Sequence, residues 1–433
     1  MSVKQLSLFD EQPEDSNKFF TRKRSWSAAK HRIMLRYIQA HCYNLGGNKP
    51  YQSMYINYVD GFAGAGKYDE GIGIEYFVDN SNFWQRYKTE FLDTDGSPLI
   101  ALKCSKIFSA EGRVTLRCFF TEEDKDLNQK LKSNCSFIGE GLPYKIYEPQ
   151  RFDKVLAQIM NELGKYPTLF FLDAFGVKGV TFEQICSIAD YVSQYKGELF
   201  LLFHNRAVAR NAGFYKTTYK NDKDHKTAET YTENLTKLLG HNSDSDWKPK
   251  WLEYQDQEEK QKFERWALEY FKSRLQKESS FKGVASFEVK EEYNDTRPQY
   301  HIVVGSNHPQ KAFGEFLNEF FCKENELLFF EVDKSGSNHK FLSQAWERQN
   351  YERILQIKPK IIDILREKNK DWMTLKEVIT LIILEVANLG YLSRAKYREI
   401  LLNLYNEKII EARDLGVRGN LTLNNYIKLV QWY

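Results

Sequence analysis

Cysteine is scarce here and scattered. The six residues Cys42, Cys104, Cys118, Cys135, Cys186 and Cys322 include no pair spaced C-x-x-C. That spacing argues against a disulfide framework or a cysteine-built metal site and favours free thiols in a reducing compartment. No apolar run approaches ~18 residues and no leader-like stretch opens the chain, so neither a membrane span nor export is expected, and the expected location is cytoplasmic. An excess of one charge is also missing: 62 Lys and Arg stand against 59 Asp and Glu, a net +3 that by itself says little about nucleic acid. Two nucleotide signatures are absent as well. A dinucleotide loop reads G-x-G-x-x-G and a P-loop reads G-x-x-x-x-G-K-[ST]. The glycine-rich stretch here, Gly61-x-x-Gly64-x-Gly66-Lys67, fits neither, since Tyr68 stands where the P-loop hydroxyl belongs.

That stretch is nevertheless the feature around which the chain is organised. Tyr55 to Val59 reads as a buried strand, because Ile56, Tyr58 and Val59 favour the extended state. Asp60 ends it, and the glycines permit a tight turn and close approach of a ligand. An acid before a small-residue loop suits a cationic, amine-bearing ligand. The D/E-x-F/x-x-G-x-G form is the first motif of S-adenosylmethionine-dependent methyltransferases. Further strands follow at Val114–Phe120, at Tyr144–Tyr147, from Thr168 to Asp173 in the run Thr168-Leu-Phe-Phe-Leu-Asp-Ala-Phe-Gly176, and at Leu199–Phe203. Glu122 closes the second, where an acid accepts hydrogen bonds from ribose hydroxyls or else caps the next helix. Asp173 closes the fourth, whose apolar run suits a central parallel strand. Strand pattern returns at Ser286–Lys290 and Tyr300–Val304. With 433 residues, 42% hydrophobic and 28% charged, the chain has room for two or three domains. The fold expected is α/β, a doubly wound Rossmann-like methyltransferase sheet over 21–330, with a helical insertion at about 207–280 that suits a lid or substrate clamp.

The flanks differ in character. Residues 1–20 form a polar tail carrying one apolar cluster, Gln5-Leu6-Ser7-Leu8-Phe9. It resembles the short peptide by which bacterial DNA polymerases and repair proteins bind the replication sliding clamp. Leu6, Leu8 and Phe9 suit an apolar pocket, with Gln5 hydrogen-bonding beside it. About 11 further residues would tether it up to roughly 35 Å from the body. Trp26 to Leu45 reads as a helix with a strongly basic start (Arg22, Lys23, Arg24, Lys30, Arg32, Arg36), either a phosphate-contacting surface or a solvated face. Ser97 reads as a helix N-cap before Pro98. Residues 350–433 read as three amphipathic helices, with short strands at Ile409–Ala412 and Leu421–Leu423 around Gly416-Val-Arg-Gly419. That pattern matches a winged helix, whose Lys396, Arg398 and Arg413 are placed to touch nucleic acid, or which docks protein.

Residues 20–325 resemble the three-Cys-motif partner family, bacterial proteins with a methyltransferase-like domain encoded beside a radical-SAM-like protein. The carriers are Ala29-Lys-His31, Tyr58-Val-Asp-Gly-Phe-Ala-Gly-Ala-Gly66, Gly96-Ser-Pro-Leu-Ile-Ala101, Phe171-Leu-Asp-Ala-Phe-Gly176 and Tyr300-His-Ile-Val-Val-Gly-Ser-Asn-His-Pro309. More remotely, the same order is similar to a bacterial 23S rRNA adenine N6-methyltransferase family. That resemblance implies an S-adenosylmethionine site lined by His31, Asp60, Phe62, Gly64, Ser97 and Glu122, with Asp173 as the catalytic acid and no metal. Two departures stand out. Phe62 replaces that family's loop histidine, and Asp173-Ala-Phe-Gly176 replaces its Asp-Pro-Pro-Tyr, so the aromatic ring that stacks on a flipped base moves to Phe175. The implied partners are nucleic acid, a three-Cys radical-SAM-like protein and the sliding clamp. The alternatives are a non-catalytic scaffold and a winged-helix DNA-binding regulator.

Overall fold

The strand and glycine corner expected at residues 55–66 are present in the computed structural model. It describes residues 20–46, 54–73, 82–174, 176–219, 221–256, 259–331, 339–367, 372–413, 422 and 424–430. The peptide Gln5, Leu6, Leu8 and Phe9 lies outside the described residues, as do Phe175 and the segment 414–421. The architecture is mixed α/β around a mostly parallel sheet of seven strands, ordered β3-β2-β1-β4-β5-β7-β6 and flanked by helices, compatible with a Rossmann-like fold. By packing the chain divides into two units, Met1–Gly164 and Lys165–Tyr433.

In the first unit α1 (Ser25–Gly46) precedes β1 (Met54–Asp60). A short helix α2 (Asn82–Tyr87) and then α3 (Ser97–Ala110) lead to β2 (Val114–Phe120). After α4 (Lys125–Ile138) come β3 (Tyr144–Ile146) and α5 (Phe152–Leu163). β1 pairs with β2 in parallel, Met54 opposite Val114 and Asp60 opposite Phe120, so both strands end at one level. The N-cap of α3 is Gly96, not Ser97, which is the first helical residue, with Pro98 after it. Gly96 donates its N–H to Gly66 O at 2.9 Å, and that bond sets the boundary.

The basic start of α1 is largely not a surface. Lys23, Lys30, Arg32 and Arg36 are buried, as are Ile33, Leu35, Tyr37 and Ile38, and only Arg22 and Arg24 of the basic set are exposed. Each of the four buried cations has a partner, which burial of a charge requires. The expected phosphate-contacting or solvated basic face is therefore corrected for these four.

In the second unit β4 (Thr168–Leu172) and β5 (Gly197–Phe203) are buried along their whole length and run parallel. Burying each large apolar side chain there contributes roughly 1.5–3 kcal/mol. Between them lies α6 (Phe182–Tyr195), started by a capping box of Thr181 and Gln184. The insertion is helical as expected: α7 (Asn205–Ala212), α8 (Asp222–Leu239), α9 (Asp244–Tyr254) and α10 (Lys260–Glu278). α10 serves as a layer helix: its Phe271 ring meets Phe203 of β5 at 5.1 Å and Phe182 of α6 at 6.2 Å. β6 (Gly283–Val289) and β7 (Tyr300–Ser306) follow, and β7 runs antiparallel to both β5 and β6.

A π-helical segment (Ala312–Leu317) leads into α11 (Asn318–Phe330), and α12 (His339–Glu367) follows. α13 (Leu375–Glu385) and α14 (Arg394–Asn406) complete the helices. β8 (Met373–Thr374), β9 (Ile410–Arg413) and β10 (Tyr426–Leu429) form an antiparallel sheet in the order β8-β10-β9. The central strand is β10, at 426–429, and β8 is a third strand that was not expected; Leu421 and Leu423 of the strand expected at 421–423 lie outside the described residues. This C-terminal segment packs against β6 and α11: Leu389 donates its N–H to Ser286 O at 3.0 Å, and Asn318 Nδ2 bonds Leu392 O at 2.8 Å.

Candidate functional site

The ends of β1 and β2 build the first cluster. Asp60 is fully buried, and its Oδ1 accepts the Phe62 amide at 3.2 Å. The Ala63 amide is taken by Thr121 O at 2.9 Å. The Gly64 amide is taken by Glu122 Oε2 at 2.9 Å, and Glu122 Oε1 accepts from Asp124 N at 2.8 Å. Three successive loop amides are thus used inside the chain. Anion-binding loops work by presenting such amides to a phosphate, and this one withholds them. What stands at this corner instead are two carboxylates, the buried Asp60, which accepts from Phe62 N and from the Tyr58 hydroxyl at 3.4 Å, and the half-buried Glu122. Burial pushes the Glu122 carboxyl above its ordinary value, against the opposing pull of those two amides. The acidic cap expected from the run Thr121-Glu122-Glu123-Asp124 is present at Asp124, which accepts from Asp126 N and Leu127 N, whereas Glu122 turns to Gly64 N and Asp124 N.

The two remaining loop expectations sit beside these. Gly64 has φ +59, and the Phe20 ring lies over it, so close that a Cβ there would fall 2.1 Å from Phe20 Cζ. Phe62 is half-buried with its ring 5.7 Å from that of Phe152. Phe20 meets Tyr68 at 5.4 Å, and Tyr68 meets His31 at 6.1 Å. The 20–23 strap is fixed by backbone bonds Asp69 N to Phe20 O, Glu70 N to Thr21 O and Lys23 N to Glu70 O, each 2.9 Å. Lys23 Nζ reaches Asp93 O and Asp95 O, and burial lowers its pKa to about 7. His31 is buried on α1 and is held well below its ordinary pKa by burial, then by Lys23, Lys30 and Arg32, so its ring is neutral. Its Nδ1 is a buried polar atom without a hydrogen-bond partner. Ser97 is buried at the start of α3, next to the Gly96–Gly66 bond. Asp60, Phe62, Gly64 and Glu122 are therefore drawn together directly, Ser97 through Gly96, and His31 only through Tyr68 and Phe20. An acceptor-rich, amide-poor strand end with an orphaned imidazole nitrogen nearby fits a ligand bearing an amine and hydroxyls.

The carboxyl ends of β4 and β5 build a second cluster. Asp173 Oδ1 stands 4.0 Å from His204 Nε2, beyond hydrogen-bond distance; the two side chains are partly exposed, but that nitrogen is buried. The His204 ring meets Tyr300 at 5.4 Å. Pairing of Phe203 with His301, and of His301 with Glu288, brings the start of β7 and the end of β6 to the same edge. His301 Nδ1 meets Asn205 Oδ1 at 2.6 Å, and its Nε2 lies 3.9 Å from Glu288 Oε1. Arg297 binds Glu264 through two guanidinium nitrogens. His204, Tyr300, His301 and Glu288 were not named as site residues by sequence, although Tyr300 and His301 open a stretch that carries the family resemblance. The signal available was a polar residue directly after an all-apolar strand, the pattern that flagged Asp60 and Asp173.

The His301 ring holds the Glu288 carboxyl down at about 2, against an ordinary 4.5, with Lys290 assisting. A depressed carboxyl contributes stability above its unfolded value that is lost as pH falls through the folded one. The expected acid limb therefore includes a loss between about pH 4.5 and 2 from this group. Glu288→Gln should flatten that part of the limb in denaturation followed by circular dichroism. An unchanged limb would remove the assignment. Among the described residues no His, Cys, Asp and Glu group could hold a metal ion, and no helix is long and apolar enough to cross a membrane. No protein-family model matches the chain, and no curated protein matches it.

Proposed function

We propose that the protein is an S-adenosylmethionine-binding, methyltransferase-like protein that acts on nucleic acid. The observation that carries this reading is the amide-poor, carboxylate-bearing end of β1 and β2. Asp60 and Glu122 offer acceptors for an amine and for ribose hydroxyls, whereas a phosphate would need the amides of Phe62, Ala63 and Gly64, which are already engaged. When bound, the cofactor supplies an activated methyl group. The chain's own part is to hold it through Asp60, Glu122, Ser97 and His31, all in the first unit; a catalytic role for Asp173, in the second unit, is proposed on the resemblance alone. Calorimetric titration of S-adenosylmethionine and S-adenosylhomocysteine into the full chain tests this. Micromolar binding is the expected result, and no heat at tens of micromolar protein would overturn it.

The nucleic-acid part rests on the C-terminal segment, read as a winged helix. Arg398 and Arg413 are exposed there, with the Arg413 guanidinium 3.8 Å from the Trp372 ring centre. Lys396 is instead held by Glu347 at 3.0 Å and Glu399 at 3.4 Å and is a weaker phosphate ligand. A radical-SAM-like partner is proposed on the resemblance alone. The sliding clamp is proposed from Gln5, Leu6, Leu8 and Phe9. Removing residues 5–9 should abolish clamp binding in a surface-plasmon assay, and an unchanged affinity would retire that partner.

A further inference from the structure

We infer that the outward face of the β8-β10-β9 sheet, built on Trp372, Arg413 and Tyr426, binds single-stranded nucleic acid by stacking its bases, and that α14 does not enter a duplex groove. This rests on the nucleic-acid part of the reading above and names its substrate class and binding face. Helix-turn-helix proteins place the N-terminal residues of their second helix on base edges in the major groove. Here that end of α14 is occupied. The Arg394 amide donates to Glu319 Oε1, and Arg394 Nη1 donates to Glu315 O at 3.3 Å. Just ahead of the helix, Asn318 and Asn325 of α11 hold Leu392 O at 2.8 Å and Gly390 O at 3.0 Å. Lys396 is paired with Glu347 and Glu399. The first turn of α14 thus faces protein and carboxylates, and a phosphate brought there would meet like charge.

The sheet offers a different surface. Directly opposite residues of an antiparallel pair lie on one face, and successive residues alternate between faces. Tyr426 stands opposite both Arg413 and Thr374, and Lys428 stands opposite Glu411. Ile410, Ile427 and Leu429 take the other face and are buried. Trp372, two residues before Thr374, returns to the outward side, where its ring centre lies 3.8 Å from the Arg413 guanidinium. Tyr426 is 41% exposed, and Arg413 is exposed beside it. A ring neutralises no charge, so Arg413 keeps its cation for a phosphate, whereas Lys396 spends its own on carboxylates.

Two rings and a guanidinium on one face suit unpaired bases. Every base has a π-face, which stacks on Trp, Tyr or the plane of an Arg whatever the sequence. In a duplex those faces are covered by the neighbouring pairs, and only edges and phosphates are left to bind. Trp372 and Tyr426 belong to neighbouring strands about 4.8 Å apart, a spacing at which two successive bases can each take a ring. The acid of this face, Glu411, stands opposite Lys428, so the phosphate contact falls chiefly to Arg413.

Fluorescence anisotropy of the full chain tests this with labelled oligo-dT and oligo-rU of about 15 nucleotides and with a duplex of the same length. Both single strands should bind more tightly than the duplex. Tyr426→Ala and Trp372→Ala should each weaken single-strand binding by about 10-fold or more. Tyr426 is exposed, so its variant carries the test even where loss of Trp372 disturbs the sheet. Arg413→Ala should lower the affinity and also make its log–log dependence on salt shallower by about 0.7, one phosphate contact on a single strand. Arg413→Lys should keep that salt dependence while losing affinity, because the charge stays and the plane goes. Arg398→Ala, on the exposed side of α14, should change the affinity least. Tighter binding of the duplex, or a larger loss in Arg398→Ala than in Tyr426→Ala and Arg413→Ala, would overturn the inference and leave the nucleic-acid reading standing. Failure of the wild type to bind any of the three at low salt would overturn that reading as well.

Discussion

Asp60→Asn is expected to weaken S-adenosylhomocysteine binding by about 10- to 100-fold while leaving the fold intact. The asparagine separates two jobs of the same side chain. Its Oδ1 still accepts the Phe62 amide, which Asp60 now accepts at 3.2 Å. The loop therefore keeps its hydrogen bond, the Tyr58 hydroxyl loses the acceptor it now has at 3.4 Å, and stability should fall by about 1 kcal/mol. The negative charge is gone, however, and a hydrogen bond to a charged group is worth about 1.5–3 kcal/mol, which converts to the stated range at about 1.4 kcal/mol per tenfold. Asp60→Ala would be a poorer test. It strands the Phe62 amide in a buried setting at a cost of about 1–3 kcal/mol, so lost binding would be confounded with a damaged loop. Tyr58 gives an internal check. Burial, then the Asp60 charge, hold its phenol well above the ordinary value, and removing the charge should relax part of that shift. The same calorimetry at matched ionic strength decides the matter: equal affinities in Asp60→Asn and wild type would mean the carboxylate serves only the turn.

The strands were legible in sequence because burial on both faces writes long apolar runs. β2 matches the expected range to the residue, β4 stops one residue short of the expected Asp173, β1 extends its range by one residue at each end and β5 by two at its start. Acids that close such runs also stood out, which brought Asp60, Glu122 and Asp173 forward. The pairing of β7 was not legible, since alternation and length say nothing about direction. Without that pairing, His204, Tyr300 and His301 had no reason to share an edge. The basic helix failed for a related cause. A run of Lys and Arg reports charge but not the face it occupies, and α1 is buried continuously from Lys30 to Ile38. Ser97 failed by one position. A preferred cap residue stood next to the glycine whose amide actually binds Gly66 O, and backbone geometry overrode side-chain preference.

Gly96→Ala should lower thermal stability more than a surface substitution can, and should weaken ligand binding with it. A Cβ at this position would lie 2.7 Å from Gly66 O and 2.9 Å from Gly66 C. Both are backbone atoms of the glycine loop, so no side chain can rotate away. The Gly96 conformation itself, φ −84 and ψ 176, suits alanine, and the whole penalty is therefore steric. Relief requires the loop to move off the start of α3, stretching the 2.9 Å bond from Gly96 N to Gly66 O. Overpacking of this kind costs about 1–3 kcal/mol, a melting temperature lower by about 2–4 °C per kcal/mol in a chain of more than 150 residues. Gly73→Ala is the matched control. Its Cβ would meet nothing within 4 Å, but its φ is +116, so it carries only local strain and leaves the loop in place. Binding should therefore fall in Gly96→Ala and hold in Gly73→Ala even where their melting temperatures are close. The reverse order, or equal affinities, would show that the loop beside α3 does not form the ligand site.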